Sequence, residues 1–293
     1  MSRAAGQAGP PAVPPWVPPG RVVNLPGRGE VFARCHDGGG GPIVLLLHGW
    51  TASADLQWAS VYQWLGERYP FVAMDLRGHG RGLRSSAPFT LEDAADDAAA
   101  LLRVLGHTGV VAVGFSMGGP VALRLWERHR DLVAGLVLCA TALEWSTTPR
   151  DRAQSVGVPL LETLLRSRLG GRLGIGDLPR LADHGPDIAA LVPWLAAEAR
   201  RGDPVALADA GRALLRFDGR LLAGRVDVPV GVLCTTADQV VPVAKQRALA
   251  EALRAEVIEM DADHYCAWNR PGEFAVGVRR LVSGVAGRRA VEG

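Results

Sequence analysis

Six short runs of apolar residues, separated by segments of helical periodicity, constrain this chain more than any other feature. They are Ile43–Leu47, Phe71–Met74, Val110–Val113, Gly135–Cys139, Val230–Cys234 and Val257–Met260. Continuous runs of this length with β-branched content suit strands covered on both faces, because a half-exposed strand would alternate apolar with polar. Gln57–Arg68, Leu91–Leu105, Pro120–Arg128 and Val243–Arg254 read as helices between them. Thr90 stands where an N-cap belongs, and Glu92 and Asp93 suit the positive end of the helix that follows. Strand–helix alternation of this kind predicts an α/β fold, a mostly parallel sheet flanked by helices. Ahead of it, Arg21–Leu25 and Glu30–Cys35 flank the turn sequence Pro26-Gly27-Arg28-Gly29 and predict a β-hairpin.

The rhythm breaks once. Between Glu144 and Val226 no strand is evident, and the amphipathic pieces Val158–Leu169, Ile188–Arg200 and Pro204–Arg216 are punctuated by glycines. The simplest account is an all-helical insertion, residues 144–225, between the two segments 21–143 and 226–286 of one core. Residues 1–20, with Pro10, Pro11, Pro14, Pro15, Pro18 and Pro19, read as a disordered, proline-rich arm.

Composition narrows the function by exclusion. With 32 basic and 30 acidic residues the formal charge is +2, not the strongly basic balance of a nucleic-acid binder. None of the four cysteines stands at C-x-x-C spacing, so they read as reduced, mostly buried thiols of a cytoplasmic protein, with no metal site implied. No cleavable apolar leader and no run of the roughly 20 apolar residues a membrane span needs is present. The glycines Gly38–Gly41 lack the following Gly-Lys-Ser/Thr of a phosphate loop, and no cofactor is implied.

Gly114-Phe115-Ser116-Met117-Gly118 carries the chemistry. It follows an apolar strand directly and precedes a helix that Pro120 is suited to open. In that context G-x-S-x-G is a turn so sharp that glycines two positions either side of the serine avoid collision. The turn lifts the hydroxyl off the carboxyl edge of the sheet, beside a helix N-terminus that favours developing negative charge.

With His48-Gly49-Trp50 after one strand, Asp75-Leu76-Arg77-Gly78-His79-Gly80 after the next, the Gly114–Gly119 turn, and Asp238 and His264 after later strands, the chain from about Val22 to Gly284 resembles the α/β-hydrolases. The resemblance implies an eight-stranded-type sheet, a helical cap in the insertion, and a triad in the chain order Ser116, Asp238, His264. It places an oxyanion hole at the backbone N–H groups of Met117 and Trp50, with Thr51 as the fallback for the second. Thr51 stands where many members carry proline, and Asp263 precedes the base where glycine is common.

The residues argue the same roles independently. A serine hydroxyl is a weak nucleophile and needs a base to take its proton. His264 and Asp238 both follow strands and reach the same sheet edge, where the carboxylate would orient the imidazole and stabilise its charged form. Glu144 and Asp263 are rival acids. His48 and His79 read as structural hydrogen-bonders, and His129 and His184 as surface residues. Trp145, Trp194, Phe217 and Phe115 are candidate pocket residues.

The expected activity is cleavage of a carboxylic ester of a small, largely apolar substrate through an acyl-enzyme on Ser116, by a monomer or homodimer. Carbon–carbon, thioester or perhydrolase (cofactor-free haloperoxidase-like) chemistry on the same triad is the alternative. A non-catalytic ligand-binding protein on this scaffold is a different class of outcome.

Overall fold

Side chains of the central strands point alternately into two hydrophobic cores, and that division sets the architecture. The computed structural model describes residues 13–145 and 186–292. Its sheet comprises β1 (Gly20–Leu25), β2 (Gly29–His36), β3 (Val44–Leu47), β4 (Phe71–Met74), β5 (Val110–Phe115), β6 (Val133–Cys139), β7 (Val230–Thr235) and β8 (Glu256–Met260). The spatial order is β1-β2-β4-β3-β5-β6-β7-β8. β2 runs antiparallel to both neighbours, and every other pair is parallel.

On β3, Leu45 and Leu47 join a core completed by helices α2 (Leu91–Val104), α3 (Gly118–Arg128) and α7 (Val243–Ala252). Val44 and Leu46 join the opposite core, beneath α1 (Ala54–Gly66), α8 (Cys266–Asn269) and α9 (Pro271–Glu292). Cover on both faces is why these strands read as unbroken apolar runs. β8 departs from that expectation. It is an edge strand, and Val257 is 44% exposed.

Local chemistry moves several boundaries. α1 starts at Ala54, ahead of the Gln57 expected from periodicity, because Ser53 Oγ accepts from the Leu56 N–H at 3.2 Å and caps the helix. Thr90 caps α2 as anticipated, its hydroxyl oxygen accepting from the Asp93 N–H at 2.9 Å. α9 has no counterpart in the sequence reading and runs beyond residue 286. Its Phe274, Val278, Leu281, Val282 and Val285 are fully buried against the sheet.

The arm also needs correcting where it is described. Val17 is buried and the Pro18 carbonyl accepts from the Arg34 guanidinium at 2.9 Å, while the Pro19 carbonyl accepts from the Cys35 N–H. Residues 17–19 are therefore docked, because an apolar side chain and an arginine donor meet a segment that has few N–H groups of its own. Residues 1–12 lie outside the described residues.

Between β6 and β7 the chain leaves the sheet. Ile188–Arg200 and Pro204–Arg216 appear as α4 (Pro186–Ala199) and α5 (Pro204–Arg216), followed by α6 (Arg220–Ala223). The piece Val158–Leu169 lies outside the described residues. Asp203 caps α5 by accepting from the Val205 and Ala206 N–H groups. α4 packs on α1 and α5 on α2, so the inserted helices reach both flanking layers of the core.

Candidate active site

The sharp turn after β5 is held from several directions. Ser116 adopts φ +50°, in the left-handed region that a side chain rarely occupies. A Cβ on Gly114 would lie 2.3 Å from the Gly118 carbonyl oxygen, and one on Gly118 would lie 2.2 Å from that of Leu47. Both glycines are thus required by close backbone approach. The Ser116 N–H donates to the Cys139 carbonyl at 2.9 Å, and the Ser116 carbonyl accepts from the Gly119 N–H at 2.9 Å. That carbonyl also accepts from the Thr141 hydroxyl at 2.7 Å. Strain at a nucleophile persists only where its surroundings fix it, and these three bonds do so.

His264 lies in the loop between β8 and α8. Its Nε2 is 3.0 Å from Ser116 Oγ, and its Nδ1 is 2.8 Å from Asp238 Oδ2. The imidazole leans against the Phe115 ring at 5.1 Å between centroids. Asp238 follows β7 and is fully provided with donors. Oδ1 accepts from the Val240 and Val241 N–H groups, each at 2.8 Å. Oδ2 accepts from the Thr235 hydroxyl at 2.8 Å and the Gln246 amide at 3.3 Å, besides His264. Burial by itself would raise the Asp238 carboxyl; the hydrogen bond and charge of His264, with the Val241 and Thr235 donors, outweigh it and hold the group below its ordinary range. The acid stays ionised and can orient the base. Thr235, Gln246 and Thr141 were not singled out from sequence, since nothing local marks a hydroxyl or amide whose partner is set by the fold.

The rivals are otherwise engaged. Glu144 pairs with Arg220 at 3.1 Å, and its backbone forms an isolated antiparallel β-bridge with that of Asp218. Asp263 accepts from the Tyr265 N–H and the Asn269 amide, each at 2.8 Å.

Met117, wholly buried, is the N-cap residue of α3 and directly follows the nucleophile. Gly49 passes so close that a Cβ on it would lie 3.3 Å from Ser116 Cβ, which brings the Gly49-Trp50 backbone beside the hydroxyl. Thr51 turns the loop at φ +62°. The Trp50 indole N–H donates to the Leu207 carbonyl of α5 at 2.7 Å, tying this loop to the inserted helices. His48 is a structural hydrogen-bonder as expected: Nδ1 donates to the Gly49 carbonyl at 2.8 Å, and Nε2 accepts from the Leu76 N–H at 2.9 Å. Burial lowers His48 to about 4 and His79 to about 3, so both rings are neutral. His129 is half-buried against Asp96 at 2.8 Å, not a surface residue, and His184 lies outside the described residues.

The turn after β4 is a clasp made of charges. Asp75 Oδ1 accepts from the Ala54 N–H and Oδ2 from the Arg81 N–H, both at 2.7 Å. Arg77 forks onto Asp97 at 2.7 and 2.8 Å. Asp55 accepts from Arg34 at 2.9 and 2.8 Å and from Arg81 at 2.7 Å. Arg81 lies 3.5 Å above the Phe32 ring and 3.3 Å from Glu198 of α4. Burial raises the Glu198 carboxyl, with Asp55 and Asp75 adding to it against Arg81 and Arg201.

The four candidate pocket residues separate. Phe115 is buried beneath His264, edge-on to Trp58 and Phe274. Trp194 is buried in the same core, and its indole N–H has no partner among the described residues. Trp145 packs partly buried against the other core. Phe217 does not border the triad: it lines a different cavity, because the turn after α5 swings its ring under Arg124 at 5.5 Å. Among the described residues no group of three or more His, Cys, Asp or Glu could hold a metal ion, and no helix is long and apolar enough to cross a membrane.

The eight-stranded sheet and the serine on its strand-to-helix turn define the class, and comparison with known proteins agrees. The profile of the alpha/beta hydrolase fold matches residues 42–158. A pimeloyl-(acyl-carrier protein) methyl ester esterase of Neisseria meningitidis serogroup C is 31% identical over 247 residues, 83% of this chain and 94% of that protein. The enol-lactonase of Burkholderia xenovorans LB400 superposes with a TM-score of 0.76 at 26% identity, over 90% of this chain and 100% of its own. A thermophilic esterase from Thermogutta terrifontis gives 0.74 at 25% identity, over 92% of this chain and 99% of its own. The chain belongs to the α/β-hydrolase fold family.

Proposed function

We propose that the protein is a serine hydrolase that cleaves a carboxylic ester of a small, largely apolar substrate. The observation that carries this reading is the unbroken line from Ser116 Oγ to His264 Nε2 at 3.0 Å and from His264 Nδ1 to Asp238 at 2.8 Å. His264 takes the Ser116 proton as the oxygen attacks the ester carbonyl, and returns it to the departing alcohol. An acyl-enzyme remains. Water then attacks it, with His264 again as base, and releases the acid. The N–H groups of Met117 and Trp50 receive the developing oxyanion, each donor contributing on the order of 10²–10³ in rate. Residues 144–225 act as the cap that selects the substrate. The methyl ester and the enol lactone in the names of two relatives support an ester-type bond. Four unpaired thiols fit a cytoplasmic setting.

Release of p-nitrophenol from p-nitrophenyl acetate tests the proposal. Ser116→Ala should abolish turnover with an unchanged circular dichroism spectrum; wild-type turnover by that variant would refute the nucleophile.

A further inference from the structure

We infer that a second binding site, separate from the triad, lies between the core and the inserted helices and takes an amphiphilic monocarboxylate. A cavity of about 510 Å³ opens where the start of α2, the side of α3 and one face of α5 meet. That is within the roughly 300–1,000 Å³ typical of small-molecule sites. Ser116, Asp238 and His264 do not line it.

Its walls are of two kinds. Phe89 and Phe217, 5% and 4% exposed, give an apolar floor together with Leu91. Above them stand Arg124, Arg212 and Arg216. Two of these already hold acids: Arg124 lies 2.9 Å from Glu92 and 2.7 Å from Glu127, and Arg212 pairs with Asp209. Arg216 is exposed at the end of α5 and has no ion-pair partner among the described residues. Arg216 is therefore the one guanidinium of this wall without an acid of its own among the described residues, and it stands beside an aromatic floor. A single carboxylate would meet the Arg216 fork in bidentate fashion while its hydrocarbon lies on the two rings. A phosphate dianion suits the cavity less, since Glu92 and Asp209 would repel the second charge and the floor would gain nothing.

Occupancy would join the two layers. α5 presents Asp209, Arg212, Ala213 and Arg216 to the cavity. The same helix seats Trp50 through the Leu207 carbonyl at 2.7 Å and through Gly211, where a Cβ would lie 2.7 Å from the indole. A ligand clamped between α5 and α2 thus bears on the loop beside the nucleophile.

Isothermal titration of sodium octanoate, and of neutral octanamide, into the full chain tests the site without any turnover, so its outcome is independent of the ester-hydrolase reading. Octanoate should bind the wild type, with octanamide about tenfold weaker or worse, as loss of one charge-assisted contact predicts. Arg216→Glu, on an exposed side chain, should weaken octanoate about tenfold or more, and Ala213→Trp should do so by filling the cavity. Ser116→Ala should titrate as wild type. Octanoate binding unaltered by Arg216→Glu would place the ligand elsewhere and overturn the site, as would equal affinity for the amide or no binding of either. If Ala213→Trp fails to fold, Arg216→Glu decides alone.

Discussion

Two buried carboxylates near the carboxyl edge of the sheet, Asp238 and Asp55, show how the partner decides the role. Both are nearly sealed from water, and in both burial is outweighed by favourable contacts that hold the group ionised. Asp55 faces Arg34 and Arg81, cations that never release a proton, and its donors fix α1 to β2 and to the turn after β4. Asp238 faces an imidazole whose other nitrogen reaches a hydroxyl, so its charge is available to a group that gains and loses a proton. A carboxylate among guanidiniums is a clasp; one behind a histidine is part of a proton path.

Substituting each acid by its amide should separate the two roles. Asp238→Asn should lower kcat on p-nitrophenyl acetate by about 10⁴-fold, because the amide cannot hold the required tautomer. Its melting temperature should stay close to wild type, since Val240 and Val241 keep an acceptor. Asp55→Asn should do the reverse. Turnover at low temperature persists, and chemical denaturation shows a loss of about 3–5 kcal/mol from leaving buried arginines uncompensated. If both variants lose only stability, the distinction between the two acids collapses.

Smaller changes sharpen the contrast. Thr235→Val removes one donor to Asp238 Oδ2 and keeps the shape of the side chain. It should reduce kcat about tenfold with KM unchanged, consistent with a hydrogen bond to a charged group. An equal change in KM would assign Thr235 to the substrate instead.

The smallest effect concerns Glu198, which joins α4 to the clasp. Its folded-state pKa is raised, so the native protein holds this proton more tightly than the unfolded chain. Stability should therefore fall as pH rises from the ordinary glutamate value of 4.5 through the raised one, where the buried group ionises. Glu198→Gln should lose that component. Urea midpoints measured across this range should show wild type declining relative to the variant, and parallel curves would show that Arg81 compensates Glu198 fully.

The elements that could be read from sequence are those written in neighbouring residues. Apolar runs gave the strands, Thr90 and its acidic followers gave the start of α2, and the glycines at 114 and 118 marked the turn at Ser116. Val257 was misjudged because an edge strand and a central one share the same apolar residues until a neighbour is assigned. α1 starts ahead of its apolar periodicity because Ser53 caps it, a signal that is itself local. The docking of residues 17–19 is not legible in sequence because their partner, Arg34, is recruited by folding.

The sequence by itself determined the α/β architecture and marked Ser116 on its turn, because strand period, helix caps and the glycine-flanked turn act over a few residues; the resemblance to the α/β-hydrolases implied Asp238 and His264 as its partners. Only the tertiary structure decided that Glu144 and Asp263 are spent on other partners. It alone placed Thr141, Thr235 and Gln246 around the triad, put Phe217 in a cavity that the triad does not line, and closed Arg34, Asp55, Arg81 and Glu198 into one clasp. The physical reason is range. Hydrogen bonds and ion pairs form over about 3 Å in space, whatever the separation along the chain, and only the packed sheet brings β2, α1, β6, β7 and the inserted helices within that reach.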